Sequence, residues 1–276
     1  MPRRISTVRG REFGDGVRAA LTAAGLTSRS VSELLHWDEA KISALLNGKG
    51  GSTELEVGIL LGVCRTTHEE RDHLLRLFRE AHLKGWLQEH GTSAPIQPRT
   101  FVEHLSIATQ YVSWSPLLVP GLLQIPHYMH EVFVATATIP ADEVGTRVVA
   151  RTGIQNVLRG MLQCTFYIHE QALTLPVGGK RVMRDQLHHL LRMEARPSIT
   201  IRLVPTAIGA HAGLAGPFNL MRFDKISPIV FHDSENSVLI IESPLSVRGY
   251  EQVVESLDQT SLDAEQSRRR ITQLLT

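Results

Sequence analysis

The 276-residue sequence has few cysteines and no long apolar run. Its two cysteines, Cys64 and Cys164, are too few for a disulfide framework and lack the paired spacing of a structural zinc site. No stretch approaches the roughly 18 consecutive apolar residues that a membrane span needs. The basic start MPRRISTVRGREF is not followed by the apolar segment of a secretion signal. We therefore expect a cytoplasmic protein without membrane contact.

A large net charge is also missing, because 29 basic residues nearly balance 28 acidic ones and leave +1. This balance excludes a protein that coats polyanions through bulk charge. The first fifty residues, however, carry eight Lys or Arg against five acids. Residues 51–90 carry five against seven, and residues 91–276 carry sixteen of each. A local basic surface is therefore expected only near the N-terminus.

The first ninety residues have apolar side chains at helical spacing, which predicts five short helices. Asp38 is a good N-cap for the third of them. Thr53 with Glu56, and Thr67 with Glu70, have the spacing of capping boxes and predict the starts of the fourth and fifth helices.

Periodicity changes after residues 85–100, GWLQEHGTSAPIQPRT, where two prolines, two glycines and small polar residues interrupt the helical pattern. We place the domain boundary there and predict domains at 1–90 and 91–276. Helical stretches around 101–134 and 141–158 are followed by apolar runs typical of strands. The predicted strands cover 164–173, 198–205, 216–223, 228–233 and 237–243.

A helix at about 180–194 lies between the first two predicted strands, and two more helices close the chain. The predicted fold class is therefore α+β overall. An N-terminal all-α five-helix helix-turn-helix domain precedes an α+β domain with a mixed or antiparallel sheet.

Two of the predicted helices, 28–35 and 38–47, are joined by a tight turn. This arrangement places the second helix of a helix-turn-helix in the major groove of DNA. The string AALTAAGLTSRSVSELLHWDEAKISALLNGKG (19–50) resembles the lambda-repressor-like, Xre-type helix-turn-helix. The resemblance implies double-stranded DNA as a partner and a homodimer as the assembly.

The surface of helix 38–47 that would meet DNA follows from its apolar stripe. Ile42, Leu45 and Leu46 must face the bundle, so the opposite side faces outward. Arg9 and Arg11, with the first two arginines, are expected to form a basic N-terminal arm that contacts phosphates or the minor groove. The candidate DNA-binding residues are Arg3, Arg4, Arg29, Glu39, Ala40, Lys41, Ser43, Ala44, Asn47 and Lys49.

The sequence departs from the family pattern at four of these surface and turn positions. Gln, Ser and Arg are replaced by Glu39, Ala40 and Ala44, and the turn glycine is replaced by His36. The missing arginine removes a guanine contact worth about 1–3 kcal/mol of discrimination. Glu39 is repelled by phosphates. The alternative interpretation is a helix-turn-helix that persists as a scaffold while DNA binding has been lost.

Three strings in the second domain extend the resemblance over nearly the whole chain: PLLVPGLLQ (116–124), LPVGGKRVMRDQLHHLL (175–191) and IGAHAGLAGPFNLMRF (208–223). They resemble the C-terminal domain, of unknown function, of a large family of actinobacterial Xre-type regulators. Members of that family have been described as antitoxin-like and are often encoded beside a small protein. The resemblance therefore implies a small partner protein that binds the C-terminal domain.

The candidate receiver site combines SWSPLLVPGLLQIPHYM (113–129), interpreted as two helices around a Pro-Gly turn, with the glycine-rich loop GAHAGLAGPF (209–218). Together they suit a groove that closes on a partner or ligand. Ordinary core packing is the alternative for most of these side chains. The candidate partner- or ligand-binding residues are Trp114, Leu118, Leu122, Leu123, Tyr128, His211 and Leu214.

Motifs for catalysis, cofactors or metals are not apparent. VGGKR (177–181) lacks the first glycine and the final Ser or Thr of a phosphate-binding loop. The histidine pairs at 127 and 130 and at 188 and 189 have no third ligand at suitable spacing. No G-x-S-x-G nucleophile motif occurs. We expect neither enzymatic activity nor a cofactor.

The sequence thus leads to a DNA-binding transcriptional regulator whose C-terminal domain receives a small-protein or small-molecule signal. The alternative is an antitoxin-like protein-interaction module with a degenerate helix-turn-helix.

Overall fold

The computed structural model describes residues 6–89 and 99–275. The chain divides into two compact units, the first ending at Trp86 and the second starting at Leu87. Arg3 and Arg4 lie outside the described residues, as do residues 90–98 of the predicted break.

Five helices build the first unit, which confirms the predicted all-α organisation. They are α1 (Val8–Ala23), α2 (Ser28–Leu35), α3 (Glu39–Leu46), α4 (Glu54–Val63) and α5 (His68–Glu80).

Threonines start most of these helices by satisfying backbone N–H groups that have no partner within the helix. Thr53 forms the predicted reciprocal capping box with Glu56. Thr67 accepts a hydrogen bond from the backbone N–H of Glu70. Asp38 occupies the N-cap position of α3, but its side chain makes no capping hydrogen bond.

The core of the first unit collects one apolar stripe from each helix. Its largest fully buried side chains include Ile42, Leu45, Leu60 and Leu61. The core is completed by Phe13, Val17, Ala20, Leu21, Val31, Leu46, Val57, Cys64, Leu74 and Leu77.

Backbone contact between α1 and the end of α3 holds the third helix in place. A Cβ atom on Gly14 would overlap the carbonyl oxygen of Leu46, and one on Gly10 would lie 2.7 Å from the carbonyl oxygen of Gly48. Gly48 has a positive φ of 63° and ends α3 in the left-handed conformation that glycine favours. The two chain segments therefore meet with no side chain between them.

The second unit contains the sheet and the remaining helices. Its elements are β1 (Trp86–Glu89, with Trp86 still in the first unit), α6 (Arg99–Ile107), β2 (Gln110–Ser115), α7 (Pro126–Ala135), α8 (Val144–Ile154), β3 (Gln163–His169), α9 (Gln171–Thr174), α10 (Gly179–Glu194), β4 (Ile199–Val204), β5 (Phe218–Arg222), β6 (Ile229–Asp233), β7 (Ser237–Ile241), α11 (Pro244–Thr260) and α12 (Ala264–Gln273).

The seven strands form one mixed sheet in the order β1-β7-β6-β5-β2-β3-β4. Strands β2, β3 and β4 run parallel, with Trp114 opposite Tyr167. Strand β5 is antiparallel to β2, and β6 and β7 continue the antiparallel half. Because the carboxyl ends of parallel strands meet at one edge, the chain segments that follow β2, β3 and β4 start there.

Helices cover both faces of this sheet. On one face, Val247 and Leu257 of α11 pack against a core that includes Trp114. On the other, Phe101 of α6 meets Phe231 edge to face, with ring centroids 5.3 Å apart. Burial on both sides explains why the central strands carry nearly continuous apolar residues.

The second domain departs from the prediction in its first helical stretch. Residues 101–134 were predicted to be helical, but residues 110–115 form β2. Four consecutive residues of β2 are buried, from Tyr111 to Trp114. A strand buried on both faces loses the alternation that marks an exposed strand, so its pattern matches that of a buried helix segment.

The first testable prediction concerns the glycine contact between α1 and α3. Gly14→Ala should lower the free energy of unfolding of the first unit by about 1–3 kcal/mol, because the added methyl group forces the backbone segments apart. Gly58→Ala is the matched control, since a Cβ there has no atom within 4 Å and helix propensity favours alanine by about 0.5–1 kcal/mol. Amide exchange of α1 and α3 in urea measures both effects. Equal stability of the two variants would contradict the tight contact.

Candidate nucleic-acid interface

A three-residue turn joins α2 to α3. His36 adopts the left-handed conformation, with φ 53° and ψ 42°. The backbone N–H of Trp37 donates to the carbonyl oxygen of Ser32 at 2.9 Å, and the Ser32 hydroxyl donates back to the carbonyl oxygen of Trp37. His36 therefore adopts the left-handed turn conformation that glycine usually occupies. Among non-glycine residues, histidine is one of the types enriched in that conformation.

The outward face of α3 is exposed where the sequence predicted it. Ile42, Leu45 and Leu46 are buried against the bundle. Ala44 and Lys41 are half-buried. The exposed candidates on and beside the helix are Glu39, Ala40, Ser43, Asn47 and Lys49.

Asn47 and Ser43 lie one turn apart and contact each other. The Asn47 side-chain amide donates to the backbone carbonyl of Ser43 at 2.7 Å and lies 3.4 Å from its hydroxyl oxygen. These bonds hold the amide against the last turn of α3. The two polar groups that are suited to contact base edges therefore stand side by side.

Lys41 differs from its neighbours because its charge is balanced inside the domain. Its ammonium group pairs with Glu56 of α4 and lies 4.5 Å from the centre of the Trp37 ring. The hydrogen bond from Lys41 and, to a smaller extent, the one from the Thr53 backbone hold the pKa of Glu56 below its usual value. Glu56 is fifteen residues away in sequence, so no local pattern indicated this pair.

Other cations near α3 are also paired. Arg29 forms an ion pair with Glu33 at 3.1 Å. Arg18 pairs with Asp15 and donates to the carbonyl oxygen of Leu46 at 2.9 Å, at the end of α3. Across residues 6–50, Lys49 alone among the lysines and arginines has no acceptor in the described parts of the chain.

Arg9 and Arg11 do not belong to a free arm, which corrects the prediction made from charge alone. Thr7 caps α1, so both arginines lie within its first turns. Arg9 pairs with Glu80 at 3.3 Å, and Arg11 donates to the carbonyl oxygen of Ser6 at 2.7 Å. The N-cap signal at Thr7 was missed in the sequence.

In the second unit, the segment 116–126 is not the second half of a helical hairpin. It leaves β2 as a loop, forms a short 3-10 turn at Gly121–Leu123 and enters α7 at Pro126. Prolines at 116, 120 and 126 interrupt the helical hydrogen-bond pattern, which explains the error in the prediction.

Three glutamine side chains satisfy the backbone of this irregular loop. Gln186 of α10, which is fully buried, accepts from the N–H of Ile125 at 2.8 Å and donates to the carbonyl oxygen of Leu123 at 2.7 Å. Gln155 donates to the carbonyl oxygens of residues 121 and 124, and Gln124 donates to that of residue 119. The string PLLVPGLLQ thus forms a loop fixed by side chains from two other segments.

The apolar candidates of the receiver site are mostly core residues. Trp114, Leu122, Leu123 and Tyr128 are buried, and Leu118 is half-buried. An open groove lined by these side chains is therefore not present. Leu122 also lines a cleft beside α10.

The glycine-rich loop folds onto Trp114 at the carboxyl edge of the parallel strands. The indole N–H of Trp114 donates to the carbonyl oxygen of Gly213 at 2.8 Å, and a Cβ on Gly213 would lie 2.5 Å from the ring. His211 stacks on His169 with ring centroids 5.7 Å apart. Burial, followed by the nearby His169, lowers the pKa of His211. Leu214 in the same loop is exposed.

Comparison with known proteins identifies the family of this unit. The domain described as "Domain of unknown function (DUF5753)" matches residues 98–273, well over half of the chain. The chain belongs to the DUF5753 family. No curated protein and no solved structure matches it.

One half-buried cation of the DUF5753 domain has no carboxylate at ion-pair distance among the described residues. Arg151 of α8 lies 4.4 Å above the ring of Phe133, and its closest acceptor is the Gln124 side-chain oxygen at 3.4 Å. Burial lowers its pKa to about 10. Sequence reasoning did not single out this arginine.

Within residues 6–89 and 99–275, no helix is long and apolar enough to cross a membrane. Nor do these residues contain a group of three or more His, Cys, Asp or Glu side chains placed to hold a metal ion.

The second prediction tests the glutamine-fixed loop. Gln186→Leu should leave the N–H of Ile125 and the carbonyl of Leu123 buried without partners, at a cost of about 2 kcal/mol or more. Hydrogen exchange of the amides at 118–126 should accelerate accordingly. Gln252→Leu on the exposed side of α11 removes the same group and should leave that exchange unchanged. Unchanged exchange in both variants would mean that the loop does not depend on Gln186.

Proposed function

We propose that this DUF5753 protein is a DNA-binding transcriptional regulator of the Xre type, and that its second domain receives a signal. The observation that carries the proposal is the exposed polar face of α3, following a tight turn from α2. This helix is third in a five-helix unit, as in proteins that insert a recognition helix into the major groove.

Base contact would come from Ser43 and Asn47, which are adjacent, exposed and able to donate and accept hydrogen bonds. Phosphate contact would come from Lys49, directly beyond the helix, together with Arg3 and Arg4. Glu39 and Ala40 at the start of α3 would tune which bases are tolerated. A homodimer would read two half-sites about one helical turn, roughly 34 Å, apart.

A second candidate is the antitoxin-like protein-interaction module, and a specific observation favours it. Lys41 and Arg29 each have a carboxylate partner within the unit, so fewer cations are free for DNA phosphates. In this case the small partner protein would be the main ligand. Purifying the tagged chain from its native cell separates the two functions. Enriched DNA fragments support the regulator, whereas a bound small protein without DNA supports the interaction module.

The third prediction concerns the charges beside α3. Lys49→Gln should weaken binding to a duplex enriched from a random library, at every sequence, and should reduce the log-log salt slope by about 0.9 for one lost phosphate contact. Arg76→Gln removes an equal charge from α5 and should leave the slope unchanged. Fluorescence anisotropy at several salt concentrations measures both.

Glu56→Gln tests in the same experiment whether freeing Lys41 strengthens DNA binding. The amide oxygen of glutamine can still accept from the Thr53 N–H, so the start of α4 is kept while Lys41 loses its counter-charge. Affinity for DNA should rise, and the salt slope should steepen by up to about 0.9. If neither Lys49→Gln nor Glu56→Gln changes binding, α3 does not face DNA.

A further inference from the structure

The DUF5753 domain has a cleft between the segment that ends α8 and the C-terminal half of α10. Its volume is about 170 Å³. Drug-sized ligands occupy sites of about 300 Å³ or more, so this cleft suits a smaller molecule. The lining residues are Leu122, Thr152, Gln155, Asn156, Leu158, Arg159, His189, Met193 and Arg196.

The charged side chains of the cleft all have the same sign. Arg159 and Arg196 are exposed at its rim, and neither has a carboxylate at ion-pair distance in the described chain. None of the described residues that line the cleft is acidic. Arg192, which does not line the cleft but like Arg196 acts on the charge of His189, is also without an ion pair among the described residues. Three guanidinium groups thus lie near His189 without a counter-charge from the described residues.

His189 stands among these cations, half-buried on α10. Burial, followed by the charges of Arg192 and Arg196, lowers its pKa. The neutral ring offers one N–H donor to a ligand. Both causes act in the same direction, since burial and nearby positive charges each disfavour the protonated ring.

The remaining lining divides into polar groups and an apolar floor. The Asn156 side chain makes no hydrogen bond within the described chain, so its amide is available as a donor. Thr152 and Gln155 already donate to backbone carbonyls, which leaves their oxygens as acceptors. Leu122, Leu158 and Met193 are buried and supply apolar contact.

We propose that this cleft binds a small organic anion, in which a phosphate or carboxylate group is joined to an apolar part. Arg159, Arg196 and His189 would hold the anionic group, because guanidinium groups pair strongly with both phosphate and carboxylate oxygens. The apolar part would rest on Leu122, Leu158 and Met193. If the second domain receives a signal, as proposed above, the cleft indicates the chemical class of that signal. Binding of the anion itself does not depend on that proposed role.

The experiment uses the full chain without DNA, so its outcome does not depend on DNA binding. Isothermal titration calorimetry with phenyl phosphate, benzoate, inorganic phosphate and benzyl alcohol separates the contributions of charge, of anion type and of the apolar part. Phenyl phosphate or benzoate should saturate a single site with a Kd of about 1 mM or lower. Inorganic phosphate should bind at least about fivefold more weakly than the better organic anion, and benzyl alcohol should not bind.

Charge-matched variants locate the site. Arg159→Gln with Arg196→Gln should weaken binding of the better organic anion by about tenfold or more, since it loses two charge-assisted contacts. Arg184→Gln with Arg248→Gln removes the same charge from exposed positions of α10 and α11 outside the cleft, and binding should stay within about twofold of the original chain. All four side chains are exposed, so both double variants should fold, which their melting temperatures check.

Three results would overturn the proposal. The first is no saturable binding of either organic anion up to about 10 mM. The second is an equal loss of affinity for the organic anion in both double variants, which would mean that net charge alone accounts for the binding. The third is binding of inorganic phosphate as tight as that of the organic anions, which would mean that the apolar residues do not contribute to binding.

Discussion

The arrangement of the first unit depends on one close contact between two backbones. Gly10 and Gly14 of α1 leave no room for a side chain against Leu46 and Gly48 at the end of α3. This contact sets the position of α3, and Arg18 reinforces it by donating to the carbonyl of Leu46. Because Ile42 and Leu45 are buried on the same side, the opposite side of α3 must face solvent. The exposed Ser43 and Asn47 are therefore a consequence of how α1 and α3 meet.

Each unit has cations that no acidic residue of the described chain neutralises. The two units differ in how many such cations lie at the candidate site. In the first unit, acidic neighbours neutralise Lys41 and Arg29, and Lys49 remains without an acceptor in the described residues. In the second unit, Arg159 and Arg196 line a cleft without acidic residues. A surface for DNA with few free cations would rely more on hydrogen bonds than on phosphate contacts. A cleft with several free cations would select ligands by charge first.

Much of the fold could be predicted from the sequence because local signals were strong. Apolar spacing, together with the caps at Thr53 and Thr67, located the five helices, and apolar runs located strands β3 to β7. Strand β2 was missed because burial on both faces removes alternation, and β1 because it is only four residues long. At the candidate interface, the outward face of α3 followed from its apolar stripe. The Lys41–Glu56 pair, the Gln186 contacts and the cleft cations depend on residues far apart in sequence, for which a single chain gives no local signal.

The central claim is that the chain meets DNA through α3 and the turn that follows it. Amide hydrogen exchange of the full-length protein, with and without a duplex enriched from a random library, tests this claim most directly. On DNA binding, amide exchange should slow within residues 36–52 and stay unchanged in residues 99–275 apart from effects of dimerisation. Failure to enrich any duplex, or protection confined to residues 99–275 while residues 36–52 exchange as before, would contradict it.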